Sequence, residues 1–181
     1  MSKGQTDNSF LADKVALRLS MLPNKKELRV IDAFHGYGTI WKNIEKKYHG
    51  KIHITRIDIE QKDDVFMLIG DNTKFLATLP LSKYDVIDFD VYGVPYDQLK
   101  MIFERGYKGL VFVTFIQWKL GAIPYGMLED IGYTSKMVRK CPTLFFKHGL
   151  DKFLAWLLKN GVNKVQLRKS VRRFYIGFEI K

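Results

Sequence analysis

LRVIDAFHGYGTIWKNIEKKY, residues 28–48, reads as a strand, a glycine turn and a helix. LRVIDAF (28–34) is apolar and β-branched, HGYG follows at once, and TIWKNIEKKY has helical spacing that Gly50 ends. Four more strand candidates follow: KIHITRID (51–58), VFMLIG (65–70), YDVIDFD (84–90) and GLVFVTF (109–115), separated by short polar or helical stretches. Strands alternating with helices predict a parallel sheet. Upstream, beyond the possible caps Asp7, Asn8 and Ser9, Leu11, Val15, Leu19 and Leu22 recur at helical spacing until Pro23, a helical extension within residues 1–26. Downstream, Leu150, Phe153, Leu154, Leu157 and Leu158 form a helical stripe that stops at Asn160 and Gly161. No helix separates the last two strands: Val165 and Leu167 alternate in one, and Phe174, Ile176, Phe178 and Ile180 alternate in the other, across a turn at Lys169 and Ser170. The chain therefore closes with an antiparallel hairpin, while 117–146 has no clear period.

Thirty Lys plus Arg against 19 Asp plus Glu leave a net charge of +11 on 181 residues, which predicts one basic domain with an anionic partner. Nucleic acid is the first candidate. With 46% hydrophobic residues the chain has material for a core, which excludes intrinsic disorder. No apolar run approaches the roughly 20 residues of a membrane span, and MSKGQTDNSF lacks an apolar signal segment, so a cytoplasmic protein without membrane contact is expected. A single cysteine, Cys141, forms no internal disulfide, and the histidines at 35, 49, 53 and 148 show no cysteine-paired spacing, so no metal site is expected.

The loop from Asp32 to Gly38 lies where a first strand meets its helix, so Gly36 and Gly38 allow backbone to approach a ligand at the carboxyl edge of the sheet. Asp58 ends the next strand about 20 residues beyond Gly38, the spacing at which an acidic side chain accepts from ribose hydroxyls. Asp71 and Asn72 follow the third strand in GDN. A dinucleotide fingerprint wants a third glycine where Trp41 stands, and no G-x-x-x-x-G-K-[ST] loop exists. An adenosine ligand without phosphate, such as S-adenosylmethionine, fits these residues better.

In DAFHGYG, IDIE, GDN, IDFDVYGVPY and the closing hairpin, the chain resembles the class I S-adenosylmethionine-dependent methyltransferases over nearly its whole length. The resemblance implies a Rossmann-like α/β fold: one domain over 1–181, a seven-stranded, mostly parallel sheet with an antiparallel last strand, and helices on both faces. It implies S-adenosyl-L-methionine as cofactor. Asp32 and the backbone of Phe34, His35, Gly36 and Gly38 would line its methionine part, Asp58 its ribose and Asp71 its adenine amino group, with Ile59, Asn72 and Asp90 completing the set.

The fourth-strand segment, Asp90-Val91-Tyr92-Gly93-Val94-Pro95, looks like the D-P-F-G-S-P of the tRNA guanine-N2 dimethyltransferases, and more loosely like the D-P-P-Y of adenine methyltransferases. Val91 stands where the motif has its first proline, and Val94 where it has a small polar residue. An exocyclic amine on a base is a poor nucleophile because its lone pair is delocalised into the ring. A carboxylate and a backbone carbonyl that accept from it hold it in line with the methyl donor, roles that fall to Asp90 and Val91. Tyr92 is placed to stack on an extruded base.

Positive charge gathers in the last third, where Lys169, Arg172 and Arg173 at the hairpin are the expected nucleic-acid contacts. Tyr96, Trp118 and Tyr125 add stacking surfaces, whereas Trp41 and Trp156 read as core. A chain of this length has no room for a separate target-recognition domain, which leaves specificity to loops, substrate shape or a partner subunit. The reading is an N-methyltransferase for an exocyclic amine of a nucleic-acid base, RNA guanine N2 ahead of adenine N6 and RNA ahead of DNA. A catalytically silent RNA-binding subunit of the same fold and a small-molecule methyltransferase are its rivals.

Overall fold

A computed structural model describes residues 10–91, 93–116, 124–141, 144–170 and 173–181. Its seven strands are β1 (Glu27–Asp32), β2 (Lys51–Asp58), β3 (Leu68–Ile69), β4 (Val86–Phe89), β5 (Gly109–Ile116), β6 (Val162–Lys169) and β7 (Arg173–Ile180). They form one sheet in the order β3-β2-β1-β4-β5-β7-β6. β7 runs antiparallel to both its neighbours, while β1 to β5 pair in parallel. This is the Rossmann-like methyltransferase architecture that the sequence predicts, down to the closing hairpin. The order reverses between β1 and β4, the switch point at which open α/β sheets bind ligands.

Helix α1 (Leu11–Met21) and helix α2 (Thr39–Glu45) cover one face of the sheet, packing Val15, Leu17, Trp41 and Ile44 against Leu28, Val30, Val86, Leu110 and Phe112. On the other face lie α3 (Asn72–Thr78), α4 (Tyr96–Glu104), α5 (Tyr125–Asp130), α6 (Ser135–Lys140) and α7 (Leu144–Lys159). Leu76, Leu99, Ile102, Met127, Val138, Phe153 and Trp156 from these helices enclose Ile31, Ile57, Ile87, Phe89, Val111, Val113 and Phe115. The N-terminal helix thus belongs to the core of the domain. Burying α1 removes its apolar side chains from water, a gain of about 1.5–3 kcal/mol for each fully buried Val or Leu.

Two elements differ from the sequence expectation. The third strand pairs only through Leu68 and Ile69 with Ile57 and Asp58, and Phe66, expected within it, lies outside the pairing and is 86% exposed. The segment 117–146 holds α5 and α6, each six residues long, too short for a periodic pattern to register. Among the described residues no helix is long and apolar enough to cross a membrane.

Candidate active site

The carboxyl ends of β1, β2 and β4 bring Asp32, Asp58 and Asp90 to one edge of the sheet. Between β1 and α2 the chain turns at Gly36 and Gly38, both in the left-handed region at φ 57° and 64°. A Cβ on Gly38 would lie 2.4 Å from His35 Cε1, so glycine is required twice over, for the turn and for the ring packed against it. The turn delivers the Gly36 N–H to Asp58 Oδ2 at 2.7 Å. Asp58 Oδ1 accepts from the Ile59 N–H at 2.8 Å, and Ile59 itself is 75% exposed.

His35 is buried and bridges two carboxylates: Nδ1 lies 2.8 Å from Asp32 Oδ2 and Nε2 lies 3.4 Å from Asp63 Oδ2. Lys42 of α2 donates to the same Asp63 oxygen and to the Tyr37 carbonyl, each at 2.9 Å. Burial pushes the Asp63 carboxyl up, but the hydrogen bond from Lys42 and the His35 ring outweigh it and hold it below its ordinary value. The chain Asp32–His35–Asp63–Lys42 therefore ties the glycine loop to the segment after β2. His35 acts here by its side chain, where the sequence reading used only its backbone.

Asp71 caps α3, with Oδ1 accepting from the Thr73 N–H at 2.9 Å, and its side chain is exposed. Asn72 is buried; its Nδ2 donates to the Ala33 carbonyl at 3.2 Å and its Oδ1 accepts from Gln98 Nε2 at 3.0 Å. Asn72 thereby latches α3 and α4 to the end of β1. Phe34 points to the opposite face from α1 and meets Phe89 edge-on, with 6.4 Å between centroids.

Asp90 is held on both oxygens. Oδ2 accepts from Lys14 Nζ at 2.7 Å, and Oδ1 accepts from the Thr114 hydroxyl at the end of β5. Burial pushes this carboxyl up; the charges of Arg18 and Lys14 and the hydrogen bonds from Lys14 and Thr114 outweigh burial and keep it below the usual carboxylate range. Two residues earlier and on the same face, Asp88 receives Arg18 Nε and Nη2 at 2.7 Å each, and Trp41 Nε1 at 2.9 Å. Burial dominates at Asp88: even against Arg18, and with Asp32 and Asp90 adding repulsion, its carboxyl is pushed up to about 6. Arg18 moves upward too, since the surrounding carboxylates overcome the desolvation that opposes its charge.

The structure thus gathers Asp32, His35, Gly36, Gly38, Asp58, Asn72 and Asp90 around the switch point. Val91 follows Asp90 directly, its N–H bonded to the Phe89 carbonyl at 2.9 Å. Tyr92, Arg172 and Trp118 lie outside the described residues. Lys169 and Arg173 flank the β6–β7 turn, closed by the Ser170 N–H on the Arg173 carbonyl at 2.8 Å. Because β6 runs parallel to β1 to β5, this basic turn sits at the same edge as Asp90, beyond β5. Among the described residues no group of three or more His, Cys, Asp or Glu converges to hold a metal ion.

Sequence reasoning missed Lys14, Arg18, Thr114 and Asp63, and treated Trp41 as core alone. A signal for two of them was present: counting i, i+3, i+4 and i+7 from Leu11 gives Leu11, Lys14, Val15 and Arg18. Cations inside an apolar stripe require buried anionic partners.

No protein-family model matches the chain, and no curated protein sequence matches it. Solved structures do. It superposes on the CurJ carbon methyltransferase with a TM-score of 0.55 at 12% identity, over 93% of this chain and 55% of that one. Human N-acetylserotonin methyltransferase, solved with S-adenosylmethionine, gives 0.55 at 17% identity over 96% and 52%. A Plasmodium falciparum protein provisionally assigned as a ribosomal RNA methyltransferase gives 0.57 at 16% identity over 94% and 95%. The chain spans about half the length of the first two. At these identities the likeness establishes the fold, the one that S-adenosylmethionine-dependent methyltransferases share. Their acceptors differ, so the fold does not choose one.

Proposed function

We propose that the chain is an S-adenosylmethionine-dependent methyltransferase acting on nucleic acid, RNA ahead of DNA, in the cytoplasm. The observation that carries the reading is the Gly36–Asp58 contact, in which a glycine turn lays backbone against the carboxylate that ends the neighbouring strand. S-adenosylmethionine, when bound, supplies an electrophilic methyl group. The residues fit it: the loop lacks the lysine a phosphate needs, and Asp58 has lone pairs beyond those used by Gly36 and Ile59 for ribose hydroxyls. Asp71, whose Oδ1 alone caps α3, has its other oxygen for the adenine amino group, and the backbone from Phe34 to Gly38 would line the methionine part.

For the acceptor, the DVYGVP segment supports an exocyclic amine, guanine N2 first. Asp90, ionised and fixed at the edge, and the Val91 carbonyl would accept from that amine. A second acceptor is favoured by Lys14. An aromatic amine offers donors only, so it finds acceptors in Asp90 but nothing to offer the Lys14 ammonium beside it. A ribose hydroxyl both donates and accepts, so it matches an ammonium and a carboxylate placed side by side.

Incubating the full chain with isotopically labelled S-adenosylmethionine and RNA or DNA, followed by nucleoside mass spectrometry, tests all of this. Label on a base amine supports the first acceptor, and label on ribose supports the second. RNA bound without label in any nucleoside would leave a catalytically silent RNA-binding subunit.

A further inference from the structure

Both faces of a largely parallel sheet are normally covered by helices, and its strands then read as continuous apolar runs. β1 and β2 depart from this in their amino halves. On the face that carries Ile31 and Ile57, β1 presents Glu27 and Arg29, and β2 sets Lys51, His53 and Thr55 beside Glu27, Arg29 and Ile31 in register. Glu27, Arg29, Lys51 and His53 are exposed. The turn from Pro80 to Tyr84 stands as a wall beside them, anchored by the 2.9 Å hydrogen bond between the Thr55 and Tyr84 hydroxyls. The result is a groove of about 340 Å³ lined by Glu27, Arg29, His53, Thr55, Lys83 and Tyr84, among others.

The groove's charge is mostly positive and mostly unspent. Among the described residues neither the Arg29 guanidinium nor the Lys83 ammonium pairs with a carboxylate, although the Arg29 backbone N–H donates to Asp85 Oδ2 at 2.9 Å, and Glu27 reaches only His53, at 3.7 Å. Lys51, beside Glu27 in the register of the two strands, stands exposed next to it. Guanidinium, ammonium and hydroxyl donors along a concave polar wall suit phosphodiester oxygens, which take bidentate Arg, point-charge Lys and hydroxyl contacts. An apolar helix or strand would find little here to bury.

We infer that this groove is a second nucleic-acid contact, gripping backbone phosphates of an RNA whose reacting nucleotide lies at the opposite edge. The inference rests on the nucleic-acid reading above. From His53 to Asp58 the extended strand spans about 17 Å, so only a strand of some length engages both places.

The test is fluorescence anisotropy of the full chain with labelled single-stranded RNAs of about 3 nucleotides, too short to cover that span at about 3.4 Å per nucleotide, and about 30 nucleotides, against R29E/K83E and R29K/K83R. R29E/K83E is expected to bind the long RNA at least about tenfold more weakly, with a log-affinity slope against log salt lower by about 1.4, since each lost phosphate contact removes about 0.7. Its affinity for the short RNA and for S-adenosylmethionine should stay at wild-type values, and R29K/K83R should bind both RNAs as wild type does. If R29A/K83A, a milder change at exposed sites, binds long RNA with wild-type affinity and slope, the groove is not a contact while the methyltransferase reading stands. Wild type that binds neither RNA overturns both. Loss of binding to anionic vesicles in R29E/K83E with long-RNA binding intact would assign the groove to a membrane surface and overturn the inference.

Discussion

Lys14 Nζ, on the first helix, donates to Asp90 Oδ2 at 2.7 Å across 76 positions of sequence. The contact puts a cation from the N-terminus into the site that the fourth strand builds. Removing it leaves Asp90 with Thr114 and the more distant Arg18 against the full desolvation of its charge. Lys14→Met is therefore expected to lower methyl transfer by at least about tenfold, about 1.4 kcal/mol in the barrier, with S-adenosylmethionine affinity unchanged. Single-turnover transfer of labelled methyl, beside calorimetric cofactor titration, checks both halves.

Asp90→Ala should abolish methyl transfer and leave cofactor affinity within a few-fold, because Asp90 is assigned to the acceptor. Turnover at the wild-type rate on an identified RNA would show that assignment to be wrong. The change also strands Lys14, so thermal melts accompany the assay.

The Arg18–Asp88 pair is buried and bidentate, and breaking it leaves one uncompensated charge. Arg18→Ala should cost about 3–5 kcal/mol, whereas the apolar pair Arg18→Met with Asp88→Leu should recover most of that. The pH dependence has a definite sign. Asp88 titrates at about 6 in the folded chain and at its ordinary value of 3.8 when unfolded, so the folded state holds more protons between those values. Its contribution to stability is fully present below the lower value and is lost as pH rises to the upper one. Without Arg18 the folded value climbs further, so the deficit of Arg18→Ala grows between pH 5 and pH 8. Urea unfolding across about pH 5–8 measures it, and a deficit that shrinks over that range would count against the assignment.

Asp58→Ala is expected to weaken S-adenosylmethionine binding by about 1–3 kcal/mol through lost ribose contacts and the freed Gly36 N–H. Gly38→Ala, at φ 64° with His35 in the way, should weaken it as well by displacing the loop. Calorimetry with the cofactor and its demethylated product reads both. No heat from folded wild type would end the cofactor argument.

At the β6–β7 turn, replacing Lys169, Arg172 and Arg173 with Ala should lower RNA affinity and flatten its dependence on salt, each lost phosphate contact removing about 0.7 from the slope for a single strand. An unchanged slope places the binding face elsewhere on the chain.

Most of the architecture was legible in the residues because it is encoded locally. Apolar runs such as 109–115 extend wherever two faces must be covered, Gly36 and Gly38 sit where only glycine makes the turn, and alternation from Phe174 to Ile180 marks the closing strand. Asp32, Asp58 and Asp90 were found the same way, as the residues on which strands end. What they bind to was not legible. His35 between Asp32 and Asp63, Arg18 on Asp88 and Lys14 on Asp90 depend on which elements the sheet order makes neighbours, and 70 or more residues separate the last two pairs. Periodicity reports which side of an element is buried, and it carries no information about what lies opposite. A lysine and an arginine inside the stripe of α1 imply buried anions, and only the packing of α1 beside α2 and over β7, from which Lys14 and Arg18 reach to the end of β4, decides that the anions are Asp88 and Asp90. For the same reason the open groove at Arg29 and His53 shows in the sequence as polar residues in strands, and becomes a surface only because none of the described helices crosses that part of the sheet.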